Sequence, residues 1–273
     1  MQDQTIRFKD AGIYYKLFEN PTKETILFLH PYASSGVLFD NQVTFFKREY
    51  QLLIIDLPGH GKSSISKNVT FESGPEIIKT ILDTLNIETC HIVAVSEGAI
   101  IAQGFAHIFP NRMKSLTAIS ALSLFHGSGT VVRNELRWDK FKNLFKWLFS
   151  FKAYKKYYIE KSAHTPQGKE KFAKSMKGFS RSSSLSHLRF SRYYKLGKQK
   201  SFYPSYVVCG NYDLEVIKDA SMQFEQKVPM TTLEGYPNAK QVVFLDNPRQ
   251  FNEHLSTFLK SIQEIEDNYG KRH

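Results

Sequence analysis

The chain has 273 residues, 41% of them apolar and 23% charged, with a net charge of +11. That length and apolar share allow one α/β domain with an insertion, or two small domains, and exclude an intrinsically disordered chain. No run approaches the roughly 18 uninterrupted apolar residues of a membrane span, and the start Met1-Gln2-Asp3-Gln4-Thr5 lacks the basic-then-apolar order of a secretory leader.

The first expected elements are a hairpin of Thr5–Lys9 and Ile13–Phe18 about a turn at Asp10-Ala11-Gly12. A short apolar strand, Thr25–His30, is followed by a helix near Val37–Lys47. A second apolar strand, Gln51–Leu57, ends at Pro58-Gly59-His60-Gly61. Pro75–Leu85 predicts a helix with Ile77, Ile78, Ile81 and Leu85 on one face. The strand His91–Val95 leads into a helix, and Leu116–Leu122 is the next strand. Ser205–Cys209 predicts a strand ending in Gly210-Asn211-Tyr212-Asp213. The last helix takes Asn247 as its cap and Pro248 at its first position, with an apolar stripe of Phe251, Leu255, Phe258, Leu259 and Ile262. Strands alternating with helices predict a mostly parallel central sheet flanked by helices on both faces.

The charge is unevenly placed. Between Val131 and Lys200 there are 19 Lys+Arg and 4 Asp+Glu, against 18 and 22 in the remainder, so the basic excess belongs to one internal segment. That segment also holds both tryptophans, Trp138 and Trp147. The two cysteines, Cys90 and Cys209, lie in or beside apolar strand-like runs, so a disulfide framework is not expected and a reducing cytoplasm is the expected location. No Cys/His cluster has metal-ligand spacing, and neither a metal nor a cofactor is expected.

The run His91-Ile92-Val93-Ala94-Val95-Ser96-Glu97-Gly98-Ala99-Ile100 carries the most chemical information. β-Prone residues lead into a lone Ser, a Gly follows two positions later, and a helical pattern then begins. This is a strand, a sharp turn and a helix with the hydroxyl exposed at the turn, a nucleophile elbow. Ala94 and Gly98 are small where strand and helix backbones come close. Gly61-Lys62-Ser63 suggests a phosphate-binding loop, but that motif needs Gly five residues before Gly61, where Asp56 stands.

Four landmarks in order give a family resemblance over nearly the whole chain: His30-Pro31-Tyr32 after a strand, Asp56-Leu57-Pro58-Gly59-His60-Gly61-Lys62-Ser63, the elbow at Ser96, and Gly210-Asn211-Tyr212-Asp213. The closing stretch from Pro237-Asn238-Ala239-Lys240-Gln241 through Phe251-Asn252 follows the same pattern. The chain resembles the α/β-hydrolase fold superfamily. The resemblance implies Ser96 as nucleophile, Asp213 as the acid of a triad, and the backbone N–H groups of Tyr32 and Glu97 as the oxyanion hole. Pro31 stands where relatives have Gly. It also implies structural roles for His30 and His60.

The implied triad is incomplete, because Lys240-Gln241 occupies the place of the family's Gly-His. A Gln amide cannot take a proton from a serine hydroxyl at neutral pH. His254 falls in the last helix, away from this position. The alternative bases are His126, where the inserted segment begins, and His187 within it. Two functions stay open. One is a hydrolase of a carboxylic ester, thioester or related acyl compound; the other is a ligand-binding or sensing pseudoenzyme.

The resemblance divides the chain into a core of residues 1–125 and 203–273 and a basic, aromatic-rich helical cap of residues 126–202. Phe141, Phe145, Leu148 and Phe149 form an apolar stripe in that cap. The stripe either packs the cap on the core or rims a pocket for an amphipathic, anionic acyl ligand. Contact with an anionic membrane is a variant of the second reading. Nucleic acid is not the expected partner, since no nucleic-acid fold or aromatic platform accompanies the charge.

Overall fold

The computed structural model describes residues 2–124, 143–185 and 203–270. Eight strands form one sheet in the order β1-β2-β4-β3-β5-β6-β7-β8. They are β1 (Gln2–Phe8), β2 (Ala11–Phe18), β3 (Thr25–Leu29), β4 (Gln51–Ile55), β5 (Cys90–Val95), β6 (Met113–Ile119), β7 (Ser205–Gly210) and β8 (Thr231–Tyr236). The β1–β2 and β2–β4 pairs are antiparallel and the other five pairs are parallel. The strands of the parallel part therefore all end on one side, and their C-terminal loops converge there.

The helices are α1 (Asp40–Phe46), α2 (Gly74–Thr84), α3 (Glu97–Ile108), α4 (Phe151–Ser162), α5 (Pro166–Ser175), α6 (Arg181–Leu185), α7 (Glu215–Lys227), α8 (Val243–Asp246) and α9 (Pro248–Gly270). Residues 143–149 are also helical. Helices α4 to α6 lie in the chain between β6 and β7, where the sequence predicts an insertion. Strand alternation sorts the core into two layers. Leu27, Leu29, Leu53, Ile55, Ile92 and Ala94 face α2 and α3. Ile26, Phe28, Leu52, Ile54, Val93 and Val95 face the opposite layer, with Phe251, Leu255 and Leu259 of α9. The stripe expected for the last helix is buried as read, with Phe258 only partly covered.

Several boundaries differ from the sequence expectations. The first hairpin turns at Lys9-Asp10, with Lys9 at φ 53, and Ala11 already pairs with Phe8. The strand expected at Leu116–Leu122 runs Met113–Ile119 and stops where Ser120 enters a positive φ of 49. Helix α7 and strand β8 were not expected. β8 reads Thr-Thr-Leu-Glu-Gly-Tyr at the sheet edge, largely uncovered, and pairing with β7 rather than apolar alternation makes it a strand.

Candidate active site

Ser96 follows the last residue of β5 and caps α3, with φ 50 and ψ −106. A non-glycine residue in this region carries about 1–3 kcal/mol of strain, which the surrounding fold must hold in place. Ser96 N–H donates to Ile119 O (2.8 Å), and its own carbonyl accepts from Ala99 N–H (3.1 Å) and Ile100 N–H (3.2 Å). The turn is thus tied to the neighbouring strand on one side and the new helix on the other. Gly98 is required by the same geometry, since a Cβ there would sit 2.7 Å from Leu29 O and 2.9 Å from His30 O.

The end of β6 links Ser96 to the next two loops. Ser120 N–H donates to Val208 O (2.7 Å), and Ser120 Oγ donates to Gln241 O (3.1 Å). Tyr212 N–H donates to Ala239 O (2.9 Å), joining the loops after β7 and β8. Those loops are so close that a Cβ on Gly210 would lie 2.2 Å from Ala239 O. Asp213, half-buried in the β7 loop, accepts from Leu214 N–H at Oδ1 (2.9 Å). Its Oδ2 is shut off from solvent and has no hydrogen bond among the described residues. Burial pushes the carboxyl up from the usual range, and the neighbouring Ser120 side chain and Leu214 N–H partly offset this.

Gln241 lies on the same loop cluster, but its side chain is engaged elsewhere. Its Oε1 accepts from Ser162 Oγ (2.8 Å) at the end of α4, while Val242 N–H donates to Ser162 O (3.0 Å). Asp246 reinforces this junction by accepting from the N–H groups of His164 (3.0 and 2.9 Å), Thr165 (2.8 Å) and Lys240 (3.2 Å). In the sequence Asp246 falls only within the closing stretch that follows the family pattern. Its role in fastening the insertion to the last loop has no local signature.

His30 and His60 cannot serve as bases. His30 Nδ1–H points at Pro31 O (2.8 Å), leaving Nε2 to accept from Leu57 N–H (2.9 Å). His60 Nδ1 faces Pro58 O (3.1 Å), and its Nε2 accepts from Ala33 N–H (3.2 Å). Both rings are neutral scaffold braces, with burial holding their pKa values down to about 4 and about 3. His254 bonds Glu234 (2.6 Å) and Tyr236 (3.2 Å) on the β8 side. His126 and His187 lie outside the described residues.

Tyr32, named from the sequence for its backbone N–H, also has an unforeseen side-chain role. Its hydroxyl lies 2.9 Å from that of Tyr154, and its ring packs against Tyr158 (5.1 Å) and Phe179 (5.2 Å). Helix α4 therefore reaches down onto the loop after β3. Burial, then the neighbouring Tyr154, raises the Tyr32 hydroxyl pKa, with a smaller contribution from Glu97. Burial, then the neighbouring Tyr154 and Tyr32, likewise raises the Tyr158 hydroxyl, with Glu97 the smallest contributor. The Asp56 carboxylate accepts from Gly36 N–H (2.7 Å) and Lys62 N–H (2.9 Å), so the Gly61-Lys62-Ser63 loop is organised around the protein's own anion.

An elbow serine at the C-terminal edge of a mostly parallel sheet, with an acid after a later strand, defines the α/β-hydrolase class of fold. The sequence model of the family described as alpha/beta hydrolase fold matches residues 24–248, and the chain belongs to that family. It is 33% identical over 116 residues to a 2-hydroxy-6-oxononadienedioate/2-hydroxy-6-oxononatrienedioate hydrolase of Paraburkholderia phymatum, covering 39% of this chain and 40% of that protein. It is 31% identical over 111 residues to 3-oxoadipate enol-lactonase 1 of Acinetobacter baylyi, covering 40% and 42%. These matches span less than half the length of either relative. Among solved structures, Est816, an N-acyl homoserine lactone degrading enzyme, superposes with a TM-score of 0.77 at 19% identity, covering 93% of this chain and all of that one. Among the described residues no helix is long and apolar enough to cross a membrane.

Proposed function

We propose that the protein is a hydrolase of a carboxylic ester, thioester or related acyl compound, with Ser96 as nucleophile. The observation that carries this reading is the strained backbone at Ser96, held against β6 and α3. Ser96 Oγ would attack the acyl carbon and give its proton to a base. The N–H groups of Tyr32 and Glu97 would hold the developing oxyanion, and the leaving group would depart with a proton before water cleaves the acyl-serine. Asp213 would orient the base and stabilise its charged form. With Gln at 241, that base would be supplied unconventionally by His126 or His187, less effectively than by a histidine at 241. The hydrolase and lactonase relatives support a small-molecule acyl substrate.

In this proposal residues 126–202 form a cap over a core of residues 1–125 and 203–273, supported by the contacts of Tyr154 and Tyr158 with Tyr32. The basic cap would favour an anionic acyl ligand and peripheral contact with an anionic membrane, while nucleic acid is not proposed as a partner. The two buried, unbridged cysteines, Cys90 and Cys209, support a cytoplasmic location.

The second reading is a ligand-binding pseudoenzyme. It is supported by the engagement of Gln241 Oε1 with Ser162 (2.8 Å) and by Asp213 Oδ2, which has no hydrogen bond among the described residues. Fluorophosphonate labelling and turnover of nitrophenyl esters, each compared with Ser96→Ala, separate the two. Ser96-dependent labelling with turnover supports the hydrolase. Ser96-dependent labelling without turnover supports the pseudoenzyme, and no Ser96-dependent reaction refutes the hydrolase.

A further inference from the structure

The helical stretch at residues 143–149 presents its apolar side to water. Leu144, Phe145, Leu148 and Phe149 are 49%, 49%, 51% and 80% exposed. Spaced i, i+1, i+4 and i+5, they share one face of the helix. The more polar face is turned inward. Asn143 is buried, the Lys146 ammonium lies 4.4 Å from the Tyr157 ring centre, and Trp147 Nε1–H donates to Ser184 Oγ (2.6 Å). This reverses the ordinary amphipathic arrangement, in which such a stripe is buried against the core. It also excludes core packing for Phe145, Leu148 and Phe149 of the predicted stripe; Phe141 lies outside the described residues. The Phe145 and Phe149 rings stack at 6.1 Å and 17°.

The described part of the insertion is strongly cationic. Residues 143–185 carry 10 Lys+Arg and only two acids, Glu160 and Glu170. Those acids already pair with Lys169 and Lys174. Lys152 and Lys156 are exposed on α4, immediately after the apolar patch in the chain, and Arg181 packs over Trp147. A contiguous apolar patch beside such charge marks an interaction surface.

We propose that this face docks on an anionic membrane surface, with Leu144, Phe145, Leu148 and Phe149 entering the interface and the lysines meeting phosphate head groups. This assigns residues to the membrane contact proposed above and does not depend on the chemistry of Ser96. Charge complementarity selects the occupant. A second copy docking symmetrically would press one cationic face against another. Nucleic acid would satisfy the charge but gives Leu144 and Leu148 no apolar medium to enter. A lipid interface satisfies both requirements.

The test is flotation of the full chain with phosphatidylcholine vesicles and with vesicles containing about one-third phosphatidylglycerol, a composition in the anionic range of membrane surfaces. The wild type is expected to float with the anionic vesicles, more weakly as salt is raised, and about tenfold or more weakly with the neutral ones. Leu148→Ser with Phe149→Ser should reduce partition about tenfold or more, and Lys152→Gln with Lys156→Gln about tenfold. Both pairs should leave thermal unfolding unchanged, because the replaced side chains are exposed. Absence of anionic-vesicle binding, or binding that survives the apolar pair, would overturn the proposal. So would a concentration-dependent dimer abolished by the apolar pair, or binding to single-stranded RNA in place of vesicles.

Discussion

Replacing Gln241 by His tests whether a missing base is what limits Ser96. The loop is prepared for the change, because its backbone is held by Ser120 Oγ at Gln241 O (3.1 Å) and by Ser162 O at Val242 N–H (3.0 Å). Nearby, Asp213 Oδ2 is shut off from solvent with no hydrogen bond among the described residues, and burial raises this carboxyl. An imidazolium beside it would supply the missing countercharge. The substitution removes the 2.8 Å bond from Ser162 Oγ to Gln241 Oε1, at a cost of about 1 kcal/mol. A positioned general base contributes about 10²–10⁴ in rate, and deleting one from an intact triad costs up to about 10⁶. Because this loop did not form around a histidine, the lower range applies. Fluorophosphonate labelling of Gln241→His should run about 10²–10⁴ times faster than wild type, rising with pH through the ordinary His range near ~6.5. The gain should vanish in Gln241→His/Ser96→Ala and fall strongly in Gln241→His/Asp213→Asn. A folded Gln241→His protein that labels no faster than wild type, or one that labels equally without Ser96, would refute the reasoning.

Asp213→Asn in the wild-type background should raise the thermal midpoint at pH 7. The folded carboxyl pKa is raised, so the carboxylate's unfavourable contribution to stability appears as pH rises through the folded value, and the gap between the two proteins should close below about pH 4. Gly98→Ala should destabilise the fold by about 3 kcal/mol, because the added Cβ meets the Leu29 and His30 carbonyl oxygens, which cannot rotate away; denaturant unfolding measures this. Glu24 is held down to about 2, chiefly by His91 and, after the opposing effect of burial, by Lys114. Its stabilising contribution is therefore complete above the unfolded value of 4.5 and lost as pH falls toward 2. Glu24→Gln should cost about 1–2 kcal/mol at neutral pH after solvent screening, and nothing near pH 2.

Much of the site was legible in the chain because its signals are local. The β-prone run into Ser96-Glu97-Gly98 encodes both the turn and the close approach that makes Gly98 necessary. Asp213 was readable from its place after the β7 strand and Gly210. Strand β8 has no apolar alternation to reveal it: it lies at the sheet edge, and Thr232 and Glu234 stand on the same face as the buried Tyr236. The rest of the site depends on contacts distant in sequence. Ser162 reaches Gln241 across 79 positions, and Tyr154 reaches Tyr32 across 122. Asp246 gathers N–H groups from His164 and Thr165 that no spacing rule brings to it.

By itself, the sequence determined most of the order of strands and helices, with α7 and β8 the exceptions, and also the family, the serine at its turn and the absence of His at 241. These follow from residue type and short-range periodicity, because backbone conformation responds to immediate neighbours. Only the tertiary structure decided that Gln241 turns to Ser162 and that Tyr32 is clamped under α4. It also decided that Phe145, Leu148 and Phe149 face water. A helical stripe encodes a face, but what packs against the opposite side determines whether that face is buried or exposed.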